Sequence, residues 1–473
     1  MRTKMTNNHA IVIGGSMAGL VVARIMSDRF EQVTLIERDQ FPSGAIPRKG
    51  IPQSRHIHVL LQQGQLILEQ LFPGLGDEMI AAGAHPIDVA ADMMWLTPAG
   101  WGVRFPSHLS MLGFSRDLLD WIIRRRLATI NNIRFVEGCD VMGLLSNTDG
   151  TCVAGVSVRS HQQSHSGICE EEQIQADLVV DASGRTSKAP QWLRALDYQP
   201  PQETVLNAFL GYTSRLYRLP TDFQSDWKVV YLQAAPPTRT RAAAFMPLEE
   251  NRWILTVYGG DHDYPPTDEA GLLEFVRSMP CPAIYNAIKD AEPLSEIYSY
   301  RGTENRWRHY ERLPRYLEGF LVLGDAACTF NPVYGQGMTT AVLGASTLDE
   351  CLHQQQQYRP DGDLTGLAKR FQKKLAKINA IPWLLATSED YRYRGTEGEP
   401  PSLLTQLMHR YMDRVVQLTT NHTDVRLALL EVMHMLKPPA TLFQPRIVIP
   451  VLKQLFKFNS AFLARTSHSE QAG

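Results

Sequence analysis

The stretch His9-Ala-Ile-Val-Ile-Gly-Gly-Ser-Met-Ala-Gly19 decides the fold. An apolar run of strand type enters a glycine turn at once, and a helical pattern runs from about Ser16 to Asp28. A second apolar run, Gln32-Val-Thr-Leu-Ile36, follows and is closed by Glu37. Strand, glycine turn, helix and strand make a βαβ unit, and a turn of this kind is built to take the pyrophosphate of a dinucleotide. Gly14 permits the tight turn, position 16 must be small for close backbone approach, and Gly19 lets helix pack on strand. Gly15, Met17 and Ala18 complete a loop whose free N–H groups lie at the positive end of the helix dipole. Ser16 replaces the usual central glycine and is still small. Glu37 is the carboxylate expected on a ribose hydroxyl, with Arg38 beside it.

The second informative stretch is Gly319-Phe-Leu-Val-Leu-Gly-Asp-Ala-Ala-Cys-Thr-Phe-Asn-Pro-Val-Tyr-Gly-Gln-Gly-Met338. A short buried strand delivers Gly324-Asp325, and Pro332 precedes Gly335-Gln336-Gly337-Met338 at the mouth of a long helix. Here the chain resembles the para-hydroxybenzoate hydroxylase-like superfamily of FAD-dependent monooxygenases. The resemblance implies FAD as cofactor, with Asp325 on a ribityl hydroxyl and Pro332 beside the reactive flavin edge. It puts the backbone of Gly335–Met338 against the flavin pyrimidine ring, where negative charge collects on reduction. Arg116 fits the family's Ser-Arg-x-x-Leu element near the cofactor phosphates, and Val141 joins the implied cofactor contacts. Ala176-Asp-Leu-Val-Val-Asp-Ala-Ser-Gly-Arg185 resembles the family's Asp-Gly motif, with Ser183 in place of the Asp before Gly184. No second glycine fingerprint and no C-x-x-C pair occur. NAD(P)H, the electron donor implied by the resemblance, would therefore dock without a Rossmann domain of its own.

Within the superfamily, Pro47-Arg-Lys-Gly-Ile-Pro-Gln-Ser-Arg-His-Ile-His-Val-Leu60 resembles the polyether-pathway epoxidases of the lasalocid and monensin type. Gly83-Ala-His85, Gly100-Trp101, Ser115–Trp121 and Ala386-Thr-Ser388 add to that resemblance. It implies epoxidation of a hydrophobic alkene or polyene by O2, through a flavin C4a-hydroperoxide. An aromatic hydroxylase or an alkene reductase of the same fold are the alternatives. Flavin-dependent halogenases share the fold but carry a Trp-x-Trp-x-Ile-Pro element and a lysine; this chain has Trp101-Gly-Val-Arg-Phe105 and no lysine from 50 to 187.

The rest of the chain fits around these motifs. The expected architecture is α/β: a Rossmann-like FAD-binding domain from residues 1–200 and 301–360, an inserted antiparallel sheet at 201–300 for the substrate, and a helical region at 361–473. Strands are expected at 206–219, 228–232, 253–258 and 297–300, with Phe209, Tyr212, Phe245, Met246, Trp253 and Tyr258 as candidate substrate-pocket residues. Arg48, Lys49 and Arg55 form a basic cluster, of which Arg48 and Lys49 are candidates for cofactor phosphates. His56 and His58 lack a third ligand, so no metal is expected. In the C-terminal region Leu403, Leu404, Leu407, Met408, Tyr411, Met412, Val415 and Val416 share one helical face.

Composition narrows the partners. The 473-residue chain has a formal net charge of −2, near balance, so nothing argues for nucleic acid as a partner and none is expected. Six scattered cysteines read as free thiols in a reducing compartment, and a cytoplasmic location is expected. The run Ala10–Ile13 is too short for the core of a signal peptide and no stretch reaches 18 apolar residues, so neither a signal peptide nor a transmembrane helix is expected. The segment Ile447–Phe458 is amphipathic; a packed helix is favoured there over peripheral membrane contact.

Overall fold

A computed structural model describes residues 8–161 and 171–454. The predicted βαβ unit forms with strands His9–Ile13 and Gln32–Glu37 around helix Met17–Ser27. These strands belong to a five-stranded sheet in the spatial order 320–322, 178–181, 9–13, 32–37, 133–137. All of its pairings are parallel. Parallel strands covered on both faces are apolar along their whole length, and Ala10, Ile11, Val12, Leu35, Val179 and Leu321 are fully buried. Helix Met17–Ser27 packs under the long helix Gly337–Tyr358, and buried Arg29 ties the two by donating to Asp349 at 2.6 and 2.9 Å.

The second large sheet has eight strands, in the order 292–293, 211–218, 252–259, 241–248, 229–232, 93–97, 100–101, with 298–300 beside 211–218. It differs from the expectation in three ways. Residues 93–101, assigned by sequence to the nucleotide domain, supply its far edge, where Met93–Thr97 runs parallel to Val229–Leu232. The expected run 206–219 is broken into strands Glu203–Leu206 and Gly211–Arg218, with Phe209 between them at φ 49°. Strand Arg241–Leu248, masked in the sequence by three alanines and Pro247, forms the centre of the sheet with Arg252–Gly259.

One face of this sheet packs on helices Glu269–Arg277 and Ala283–Ile288; the other faces helices Leu403–Leu418 and Thr423–Met433. The first face is fully packed: Phe245 stacks on Trp253 with ring centroids 5.0 Å apart. The helix spanning 445–454 buries Ile447 and Val451 in the second cluster and leaves Ile449 and Leu452 exposed, while Leu455, Phe456 and Lys457 lie outside the described residues. Among the described residues no helix is long and apolar enough to cross a membrane.

Arg426 is an anomaly in that second layer. It is 1% exposed, and among the described residues no carboxylate pairs with it. Its Nη2 donates weakly to Met93 O at 3.4 Å, while Nε and Nη1 have no partner. Burial, with Arg104 nearby, pushes its guanidinium down to about 10. A buried charge with unmet donors costs stability. Arg426→Met should therefore unfold at higher temperature than the wild type, by about 1–3 kcal/mol in stability; thermal denaturation followed by circular dichroism checks it, and a lower melting temperature would contradict it.

Candidate active site

The glycine turn works by close contact. A Cβ at Gly19 would lie 1.7 Å from Gly14 O, and one at Gly14, where φ is +98°, would lie 2.6 Å from Ala182 O. Ser16 caps no backbone group and instead accepts a hydrogen bond from Arg116 Nη2 at 3.1 Å. Arg116 is held there because helix Arg116–Leu127 starts on a Ser115 cap, whose Oγ accepts from Leu118 N at 3.2 Å. Glu37 accepts from Gly15 N at 2.7 Å and pairs with Arg48 at 3.0 Å.

A single cavity of about 820 Å³ opens from this turn. Its nucleotide end is lined by Gly14, Ser16, Met17, Ala18, Glu37 and Arg38, and by Arg116 and Val141. Further in, Asp325, Pro332, Gly335, Gln336, Gly337 and Met338 line it. The two motifs, distant in sequence, thus meet on one surface, because strand 320–322 joins the parallel sheet beside 178–181. Gly15 and Gly19 shape the turn from behind without lining the cavity.

The residues present fit FAD. The turn leaves no room for a Cβ, and Arg116 Nε, Ser183 Oγ and Gln336 Oε1 are buried without partners among the described residues. All three belong to cavity-lining residues, and buried polar atoms are left unpaired when a ligand is their partner. Burial raises the Asp325 carboxyl above its ordinary range, while Arg185, Arg116 and Arg308 pull it back.

The basic cluster does something else. Arg48 turns inward, donating to Gly15 O at 2.6 Å and lying 3.5 Å from Asp39 and 3.9 Å from Asp120. It is neutralised by these carboxylates and stands outside the cavity lining, bracing Glu37 against the turn. Lys49 is exposed and does not reach the cavity. Arg55 lies over the Tyr298 ring at 4.3 Å. His56 and His58 do line the cavity; burial first, then neighbouring cations, pushes them down to about 3 and about 4, so both are neutral at pH 7. His56 Nδ1 is bonded to Ser214 Oγ at 2.8 Å.

Half of the candidate substrate residues reach the cavity. Tyr212, Met246 and Tyr258 line it. Phe245 and Trp253 do not: side chains alternate along a strand, and these two point at the helices on the other face. Phe209 is turned out of the sheet and stacks on His262 at 4.2 Å. Sequence reading missed Met93, Trp95, Val229 and Tyr231, which come from the two strands at the far side of the sheet. Met408, Met412 and Val416 of helix Leu403–Leu418 line the cavity opposite them. Trp101, in the region of the halogenase element, is 40% exposed and outside the cavity.

Behind Pro332 lies a buried polar knot. Asp390, fully buried, accepts from Asn305 Nδ2 at 2.6 Å, Asn331 Nδ2 at 3.1 Å and Tyr334 Oη at 2.5 Å. Three donors from two separate segments thus fix the loop that carries Pro332.

The comparisons with known proteins bear on family and fold. A family model described as FAD binding domain matches residues 7–357. Protein Rv3254 of Mycobacterium tuberculosis is 31% identical over 399 residues, covering 83% of this chain and 82% of that protein. Kynurenine 3-monooxygenase of Salinispora tropica is 24% identical over 361 residues, covering 72% of each. Among solved structures, the flavin-dependent brominase Bmp2 superposes with a TM-score of 0.65 at 14% identity, over 96% of this chain and 100% of that one. P. aeruginosa PqsL in complex with 2-aminobenzoylacetate gives 0.59 at 16% identity, over 81% and 98%. These two structures share the fold. The chain belongs to the FAD binding domain family.

Proposed function

We propose that the enzyme transfers one atom of O2 to the double bond of a hydrophobic alkene or polyene, with NAD(P)H as electron donor. The balance is alkene, O2, NAD(P)H and a proton giving epoxide, water and NAD(P)+. FAD, when bound, supplies the electron transfer and the activation of oxygen. The supporting observation is that one cavity is lined both by the nucleotide motifs and by Met93, Trp95, Val229, Met246, Met412 and Val416.

The protein's own part is to bind, orient and keep dry. Apolar walls exclude water, which protects reactive oxygen species from simple breakdown. His56 and His58, held neutral, put no extra positive charge beside the substrate. Tyr231 and Tyr258 are hydrogen-bonded to each other at 3.0 Å and present a satisfied pair to the cavity. Glu389 is paired with Arg392 at 3.2 Å, and Arg392 with Asp413 at 2.8 Å. An alkene, unlike a phenol, needs no base to take a proton; what it needs is the apolar wall described above.

Mixing the holoenzyme with NADPH or NADH under anaerobic conditions tests the electron path. Bleaching of the flavin, and oxygen-dependent nicotinamide turnover that rises with a long-chain alkene, are expected. Failure of both nicotinamides to reduce the flavin would contradict the reading, as would saturation of the alkene in the absence of oxygen.

A further inference from the structure

The part of the cavity beyond Tyr231 and Tyr258 has a shape and chemistry of its own. Its floor is one face of the eight-stranded sheet, where Met246 and Ile254 pair across strands and Met93 pairs with Val229. Its roof is the pair of helices Leu403–Leu418 and Thr423–Met433, with the turn Pro439–Phe443 closing one side. Six methionines line the cavity in this region: Met93, Met111, Met246, Met408, Met412 and Met433. Methionine is unbranched and polarisable, and a surface rich in it adapts to flexible apolar ligands.

The far end is open. Ile381, Leu384, Met433 and Phe443 line the cavity and yet are 40%, 52%, 39% and 43% exposed. These four apolar side chains, which touch both the cavity and solvent, are taken as the rim of the arm. Charges in the arm are matched among themselves, as in the Glu389–Arg392–Asp413 set. Binding there therefore depends on apolar area removed from water.

Resting on the alkene reading above, we propose that the substrate is a long flexible hydrocarbon chain. Its reacting carbons lie by Pro332, and its remaining length fills the methionine-lined arm toward the Ile381–Phe443 rim. Two consequences distinguish such a site from a compact pocket. Affinity rises with each methylene that enters the arm, roughly three- to fourfold per carbon. Beyond the rim added carbons stay in water, and the gain stops.

Saturated straight-chain alcohols of increasing length test this by calorimetric titration of the holoenzyme. The expected result is a steady gain in affinity per carbon followed by a plateau. Met412→Trp narrows the arm, and the plateau should then begin at a shorter chain with FAD content unchanged; Val416→Phe, on the same helix face, should do the same if the first variant folds poorly. Affinity independent of chain length, or an unchanged plateau in both folded variants, would overturn the proposal. These probes have no double bond, so the outcome does not depend on the reaction. A positive length series from an enzyme that never oxygenates alkenes would refute the alkene reading and leave the arm in place.

Discussion

Gly19→Ala should yield a protein that no longer retains FAD through purification. The added Cβ would sit 1.7 Å from Gly14 O, far inside contact distance, and the neighbour is backbone that cannot swing aside. Either helix Met17–Ser27 lifts from strand His9–Ile13 or the turn opens; both displace the N–H groups that face the phosphates. Overpacking of this kind costs about 1–3 kcal/mol or more, so FAD affinity should fall by at least roughly tenfold to a hundredfold. The ratio of flavin to protein absorbance reads it directly. A Gly19→Ala protein with full flavin content would contradict the placement of the cofactor at this turn.

Asp390→Ala should be the most destabilising single change near the cavity. It leaves the Asn305, Asn331 and Tyr334 donors facing a void in a buried site. At about 1–3 kcal/mol for each unmet buried group, the loss should reach roughly 3–6 kcal/mol. The effect should depend on pH. Burial pushes the Asp390 carboxyl up to about 7, against the pull of its three donors. A carboxyl whose folded value is raised keeps its proton longer in the folded chain. Its contribution is therefore full below the ordinary carboxylate range and is lost as pH rises toward about 7. The difference between wild type and Asp390→Ala should be larger at pH 5 than at pH 8. Denaturant unfolding at the two values checks this, and a difference that grows with pH would contradict it.

The nucleotide half of the molecule was legible because its residues answer to local rules. Strand 9–13 is apolar on both faces, Gly14 and Gly19 have no room for a side chain, and Glu37 ends its strand in register. Helix Arg116–Leu127 carries its own cap signal in Ser115. The substrate half was less legible because its logic is one of parity and of elements brought from afar. Phe245 and Met246 are adjacent, so they cannot share a face; only the pairing of Met246 with Ile254 and of Phe245 with Leu255 shows which one meets the cavity. Nothing local in Met93-Met-Trp95 says that it borders a sheet built from residues more than a hundred positions away.

The C-terminal helices show a different limit. Leu403, Leu404 and Leu407 share the periodicity of Met408, Met412 and Val416, yet the leucines are 79%, 69% and 60% exposed while the others wall a cavity. An amphipathic stripe looks the same whether it meets a core, a ligand or water. Asp390 was hidden for a related reason: a single carboxylate in a helical segment reads as solvated, and the asparagines that bury it lie 59 and 85 residues away. Arg48 misled in the opposite sense, since its charge is spent on Glu37 and Asp39.

The most direct test of the account is turnover of a long-chain alkene by the holoenzyme with NAD(P)H under isotopically labelled O2, followed by mass analysis of the product. The account predicts one labelled oxygen per product molecule, in an epoxide, with none drawn from water. A product that carries oxygen from water, or one that gains two hydrogens and no oxygen, would contradict it.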